Sequence, residues 1–203
     1  MGEDRIEAIL KDFEKLINKE LKISNIFKIS EELTRYLFYK SLIKNGVEDK
    51  DISYEANFSN KTIDKVDLKF LNNYLEIKFH RELENKRPRP YWYSFARLIA
   101  DFFKLSNSET IGKSNKYILY VFDESHKSKL SKYNFGFLLE KNFRVSIDQI
   151  KNYNKTVKDE LEKKIWTEQV NSSLIHSSAL TIPQKFRLEQ NNNKLNIYFY
   201  KIQ

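Results

Sequence analysis

Six consecutive apolar residues, "YILYVF" at positions 117–122, constrain this chain more than any other feature. The run is too short for a typical helix and does not alternate, so it predicts a strand buried on both faces. Such a strand needs cover above and below, and the flanking sequence supplies it. Ile6, Ile9, Leu10, Phe13, Leu16, Ile17 and Leu21 recur at helical spacing over residues 3–22. "SEELTRYLFYKSLIKNG" predicts a second helix, capped by Ser30 and ended by Gly46. "YWYSFARLIADFFKLS" places Tyr91, Phe95, Leu98, Phe102 and Leu105 on one helical stripe, after a proline-broken loop at 84–90. On that helix Arg97 and Asp101, four apart, are expected to pair. Strands are expected at 51–58, 65–71, 74–79 and 116–123. The expected fold class is therefore α/β, a mixed central β-sheet flanked by helices.

Beyond that strand, "ESHKSKLSKYN" reads as a basic loop or short helix. A helix is expected over 156–170, opened by Thr156 and Asp159, and two strands around an Asn-rich turn over "TIPQKFRLEQNNNKLNIYFYKI". The 203 residues read as a single domain: a helical extension at 1–29, a core at 30–123, and a basic region, helix and hairpin at 124–203.

Composition narrows the function classes. No apolar run approaches the roughly 20 residues of a membrane-crossing helix, and the charged N-terminal segment lacks the apolar block of a signal peptide. Without cysteine there is no disulfide, zinc–thiolate site or thiol nucleophile, and a cytoplasmic location is expected. The net charge is +8, and 28 of the 36 basic residues are lysine, which implies a polyanionic partner, nucleic acid first. Solubility is the plainer account of the same surplus. The excess peaks over 113–158, with ten Lys or Arg against four Asp or Glu. Lys127, Lys129 and Lys132 are the expected phosphate contacts there.

The stretch "VDLKFLNNYLEIKF" (66–79) reads as a hairpin turning at Asn72-Asn73. In that register Asp67 faces Lys78 and Lys69 faces Glu76. Val66, Leu68, Phe70, Leu75, Ile77 and Phe79 then share a dry side, leaving Asp67, Glu76 and Lys78 on a wet one. Opposite residues sit roughly 5 Å apart at Cβ and diagonal ones about 7 Å, so two carboxylates can share a divalent cation beside the ammonium. An ordinary exposed hairpin can carry the same alternating charges.

Asp67 followed by Glu76-x-Lys78 in this element order resembles the PD-(D/E)xK nuclease superfamily, the restriction-endonuclease-like fold. In that family a helix precedes a three-strand meander, with the aspartate on the second strand and E-x-K on the third, and a helix and strand follow. The resemblance covers roughly residues 30–123; Val66 stands where the family has proline. It implies a Mg²⁺-dependent DNA endonuclease, with Mn²⁺ able to substitute, in which Asp67 and Glu76 bind metal and Lys78 activates or orients water. A further acid from the first helix is implied, Glu31 or Glu32. Glu32 is preferred because it continues the stripe Tyr36, Tyr39, Ile43, and Glu55 is another candidate. Either helix acid also suits a helix N-terminus.

His80, Arg81, Lys86, Arg87 and Arg89, just after the expected catalytic strand, are the expected contacts to the scissile phosphate, although a solvated basic loop explains the last three equally well. The expected partner is double-stranded DNA, with homodimerisation through residues 3–22. A resolvase, a repair nuclease and an RNA-cutting defence nuclease are alternatives within the class. A non-catalytic nucleic-acid-binding or scaffold protein that keeps the fold is the rival outside it.

Overall fold

A computed structural model describes residues 2–24, 29–57, 65–80, 91–106, 114–146, 169–183 and 194–203. The described elements are α1 (Glu3–Ile23), α2 (Glu31–Lys44), β1 (Ile52–Asn57), β2 (Lys65–Phe70), β3 (Asn73–His80), α3 (Tyr91–Ser106), β4 (Asn115–Asp123), α4 (Glu124–Lys132), β5 (Asn142–Ser146), β6 (Gln169–Thr181) and β7 (Lys194–Ile202). Seven strands form one sheet in the order β1-β2-β3-β4-β7-β6-β5. Only β3 and β4 run parallel, and α3 makes the crossover between them. The chain is α/β, with a mixed sheet between helices.

β4 is the strand its apolar run predicted. Tyr117, Leu119 and Val121 face the core under α1 and α2, while Ile118, Tyr120 and Phe122 face the core under α3 and α4. Alternate residues thus serve opposite cores, and the run admits no polar position. The apolar stripe of α1 is consumed inside the chain. Ile6, Ile9, Leu10, Phe13, Ile17 and Leu21 are all buried, with Phe13 against Phe38 of α2 at 5.6 Å between rings. Arg5 clamps the two helices by donating to the Asn45 carbonyl at 3.0 Å. The homodimer expected through residues 3–22 therefore loses its surface. The stripe is core.

The hairpin turns one residue earlier than expected, which slips the pairing register by two. Phe70 pairs with Asn73 and Lys69 with Tyr74, so Leu71 and Asn72 make the turn, with Leu71 at φ 52°. Asn73 is engaged elsewhere: its amide donates to the Phe70 carbonyl at 2.9 Å and accepts from Asn115 at 3.0 Å, joining β2, β3 and β4. An even slip moves no side chain to the other face, so Leu75, Ile77 and Phe79 still enter the core under α1 and α2. Carried along the strands, the slip sets Asp67 against Glu76 rather than Lys78. The face expected to be wet is also covered, because α3 lies over it and Glu76 is only 5% exposed. Val66 departs from its expected companions and joins the core under α3, with Leu68 and Phe70 in the other. The break falls beside Glu55, whose left-handed φ of 45° interrupts the β1–β2 ladder between Tyr54↔Leu68 and Ala56↔Val66.

Beyond β4, Gln169 and Val170 open a 13-residue strand instead of closing a helix, and residues 156–168 of that expectation lie outside the described residues. β7 matches the expected final strand and pairs with β4 and β6, while residues 184–193, which hold most of the other expected strand and the Asn-rich turn, lie outside the described residues. β7 sits beside β4 in the middle of the sheet, so this segment completes the sheet that the core begins.

Candidate functional site

α2 begins where the Ser30 hydroxyl accepts from Leu33 N at 3.1 Å, which fixes the rotation of its first turn. Its buried positions are Thr34, Leu37, Phe38, Ser41 and Leu42. One turn before Thr34, Glu31 falls on that inward side and Glu32 on the outward one. Glu31 accepts from the Phe79 amide within the field of Lys78, Asp67 and Glu76, and burial raises its carboxyl pKa. Glu32 is exposed and lowered by its own helix-terminal amide and by Ser30. The preference for Glu32 is thus corrected to Glu31. The stripe Tyr36, Tyr39, Ile43 that suggested Glu32 faces outward, with Tyr36 48% exposed.

Past Leu68↔Leu75, a side chain replaces the β2–β3 ladder. The Ile77 amide donates to Asp67 Oδ2 at 2.7 Å, and Arg35 Nη2 holds Asp67 Oδ1 at 2.6 Å. Glu76 Oε1 accepts from Lys78 Nζ at 2.8 Å, and its Oε2 from Lys104 Nζ of α3 at 3.2 Å. Lys78 Nζ also lies 3.4 Å from Asp101 Oδ2. Asp101 therefore pairs across to β3, where an Arg97 pair within α3 was expected.

The cluster holds four carboxylates, Glu31, Asp67, Glu76 and Asp101, against three cations, Arg35, Lys78 and Lys104. These seven groups are counted among the described residues, and burial is the largest influence on the acids. Burial and then Glu76 repulsion raise Asp67; burial, opposed by Lys78 and reinforced by Glu76, pushes Asp101 up to about 6. Burial alone would lower Lys78, but Asp101 and Glu76 outweigh it and raise its pKa, so the ammonium stays charged at neutral pH. Burial is thus the main reason the acids retain protons, whereas the neighbouring carboxylates are the reason the lysine retains its charge.

The oxygen donors suit a hard divalent cation, which prefers carboxylates and water. Among the described residues, however, no three His, Asp or Glu side chains are grouped as a ready ligand set. Asp67 and Glu76 are each engaged by cationic side chains instead. Glu55, the other acid considered, is exposed and pairs with Lys65 at 3.4 Å.

The expected phosphate contacts fare differently. Burial, then His126 and Lys78, lowers His80 to about 3, which leaves it neutral. Its Nδ1 lies 3.0 Å from the Tyr120 hydroxyl and its ring stacks on His126 at 5.6 Å. His80 is half-buried and, being neutral, brings no positive charge to a phosphate. Lys127 reaches Asn196 Oδ1 at 3.5 Å, Lys132 lies over the Tyr133 ring, and Lys129 shares their helix, α4. Arg81, Lys86, Arg87 and Arg89 lie outside the described residues.

Arg35, Asp101 and Lys104 were not singled out from sequence as site residues. A signal existed on α3, where the core residues Phe95, Ala96, Leu98, Ile99, Phe102, Phe103 and Leu105 surround the two charges. Charges set in so wide an apolar arc are expected to meet buried partners. No helix among the described residues is long and apolar enough to cross a membrane. The chain matches no protein-family model, no curated protein and no solved structure.

Proposed function

We propose that this chain is a Mg²⁺-dependent nuclease of the PD-(D/E)xK kind, hydrolysing phosphodiester bonds in nucleic acid. The observation that carries the reading is the convergence of Glu31, Asp67, Glu76 and Lys78 in one cluster. They come from a helix, the second strand and the third strand of a helix–three-strand–helix–strand order. Asp67 and Glu76, supported by Glu31, would hold the metal, which polarises phosphate and acidifies a bound water. The protein's own part is electrostatic. Lys78, kept protonated by Asp101 and Glu76, serves as a donor that stabilises negative charge on the phosphoryl oxygens rather than as a base. Arg35 and Lys104, which occupy carboxylate oxygens in this structure, offer further positive charge at the same place.

The test is incubation of pure protein with plasmid, single-stranded DNA and RNA, in Mg²⁺ and in EDTA, beside Asp67→Asn. Duplex DNA is the first substrate to try. Mg²⁺-dependent cleavage that falls at least about 100-fold in the variant supports the reading; equal cleavage by both proteins, or none by wild type, removes it. The rival is a scaffold that keeps the fold without catalysis, favoured by the internal pairing of the cluster's charges. Calorimetric titration with Mn²⁺ separates the two, since a scaffold shows no binding that depends on Asp67 and Glu76.

A further inference from the structure

The outer face of α2 and the neighbouring strand β1 carry exposed aromatic rings. Tyr36 and Tyr54 are each 48% exposed, and Tyr39 lies between the helix and β1 with its ring 5.6 Å from that of Tyr54. The Tyr39 hydroxyl donates to Asp49 at 2.7 Å, which fixes the middle ring. Lys40 Nζ stands 4.8 Å from the centre of the Tyr36 ring. Left-handed Glu55 follows Tyr54 directly and interrupts the ladder there. The rings are contiguous with the charged cluster: Arg35 precedes Tyr36, bears electrostatically on Tyr54 and grips Asp67. Arg35 Nη2 is the guanidinium nitrogen that holds Asp67, at 2.6 Å, and it marks where the aromatic face meets the cluster.

We propose that Tyr36, Tyr39 and Tyr54 form a stacking platform for unpaired bases of a nucleic acid strand whose backbone passes Lys40 and Arg35 toward Asp67. The inference rests on the nuclease reading and narrows its substrate to one with single-stranded nucleotides beside the cleaved bond. Ring faces alternating with cations match a single strand, whose bases present open π-faces and whose phosphates need counter-charge. A duplex keeps those faces covered by neighbouring pairs. A protein partner would use the rings equally well but gives Lys40 and Arg35 no phosphate to meet.

The measurement is fluorescence anisotropy of a labelled oligothymidine and of a duplex of equal length, in EDTA so that cleavage does not enter. Tyr36→Ala with Tyr54→Ala is expected to weaken single-strand binding about ten-fold or more, with duplex affinity unchanged and Tyr36→Phe with Tyr54→Phe near wild type. An equal loss on both substrates, no loss on either, or no oligonucleotide binding by wild type overturns the platform. Should the alanine pair unfold, Tyr36→Trp decides: stacking quenches its emission on adding oligothymidine, and unchanged emission refutes the proposal. Tyrosine-dependent binding without Mg²⁺-dependent cleavage removes the nuclease reading alone. Cleavage with tyrosine-independent binding removes the platform alone.

Discussion

Helix α3 covers one face of the sheet with two different chemistries. Over β3, its Asp101 and Lys104 meet Lys78 and Glu76. Over β7, its Phe102 meets Tyr200 at 5.3 Å and Phe143 of β5 at 5.5 Å, and the Tyr200 hydroxyl is satisfied by the Leu138 carbonyl at 3.3 Å. The ring half is what a sheet face under a helix ordinarily becomes. The charged half has the same cover and strand geometry, yet it desolvates ions whose replacement by apolar residues is often neutral or stabilising. Stability therefore accounts for the rings and not for the charges. The charges are what the proposed nuclease reading, with its charged substrate, calls for.

Single substitutions in the two halves should cost similar stability and differ in what restores it. Phe102→Ala empties a buried ring site, and Glu76→Ala removes one carboxylate partner from both Lys104 and Lys78; chemical denaturation should show losses of about 3–5 kcal/mol for each. Replacing Glu76, Lys78, Asp101 and Lys104 together by Leu and Met should then recover most of the Glu76→Ala loss, with cleavage abolished. If the fourfold variant is less stable than Glu76→Ala, the charges belong to the fold's own energetics and the contrast collapses.

A smaller effect sharpens the contrast through pH. Asp101 has a folded pKa above its unfolded one, so its contribution is fully present below about 4 and lost as pH rises through about 6. Glu31 and Asp67 act in the same direction. Stability measured from pH 4.5 to 7.5 should therefore fall less steeply in Asp101→Asn than in wild type. The ring half has no carboxylate, and Phe102→Leu should leave that slope unchanged. Identical slopes in Asp101→Asn and wild type would place Asp101 outside the coupled cluster.

The smallest effect lies outside both halves, on α4. Charge reversal at Lys127, Lys129 and Lys132 should weaken nucleic acid binding alike for all sequences and reduce the salt slope by about 0.9 per lost phosphate contact. An unchanged slope would show that this helix faces away from the ligand.

How much of this was legible in the sequence depended on whether a feature reports period or partner. The unbroken run of β4 specified a doubly covered strand because each face of a strand must be dry for both parities to be apolar. The hairpin's faces were legible because parity survives a slip of two, but its register was not. Asn73 resembles a turn residue until Asn115, far along the chain, is known to bind it. Glu32 was preferred because it continues the stripe Tyr36, Tyr39, Ile43, but the buried stripe of α2 runs through Thr34 and Ser41 and brings Glu31 to the cluster instead. Two small polar residues in a core face carry no hydropathy signal. Asp101 failed for a related reason: a local i, i+4 partner was visible and the β3 partner was not.

The place of β7 has a consequence for how the molecule assembles. β4 pairs with β7 along its whole length, from Lys116↔Ile202 to Asp123↔Leu195, although β5 and β6 intervene in the chain. β6 in turn reaches the rest of the sheet only through β7. Such non-local pairing is slow because a long loop must close before its contacts form. Without that pairing β1–β4 and β5–β7 share no strand contact, and apolar β4 has one edge open. An open apolar edge is a template for another chain, so recovery after denaturation should fall as protein concentration rises.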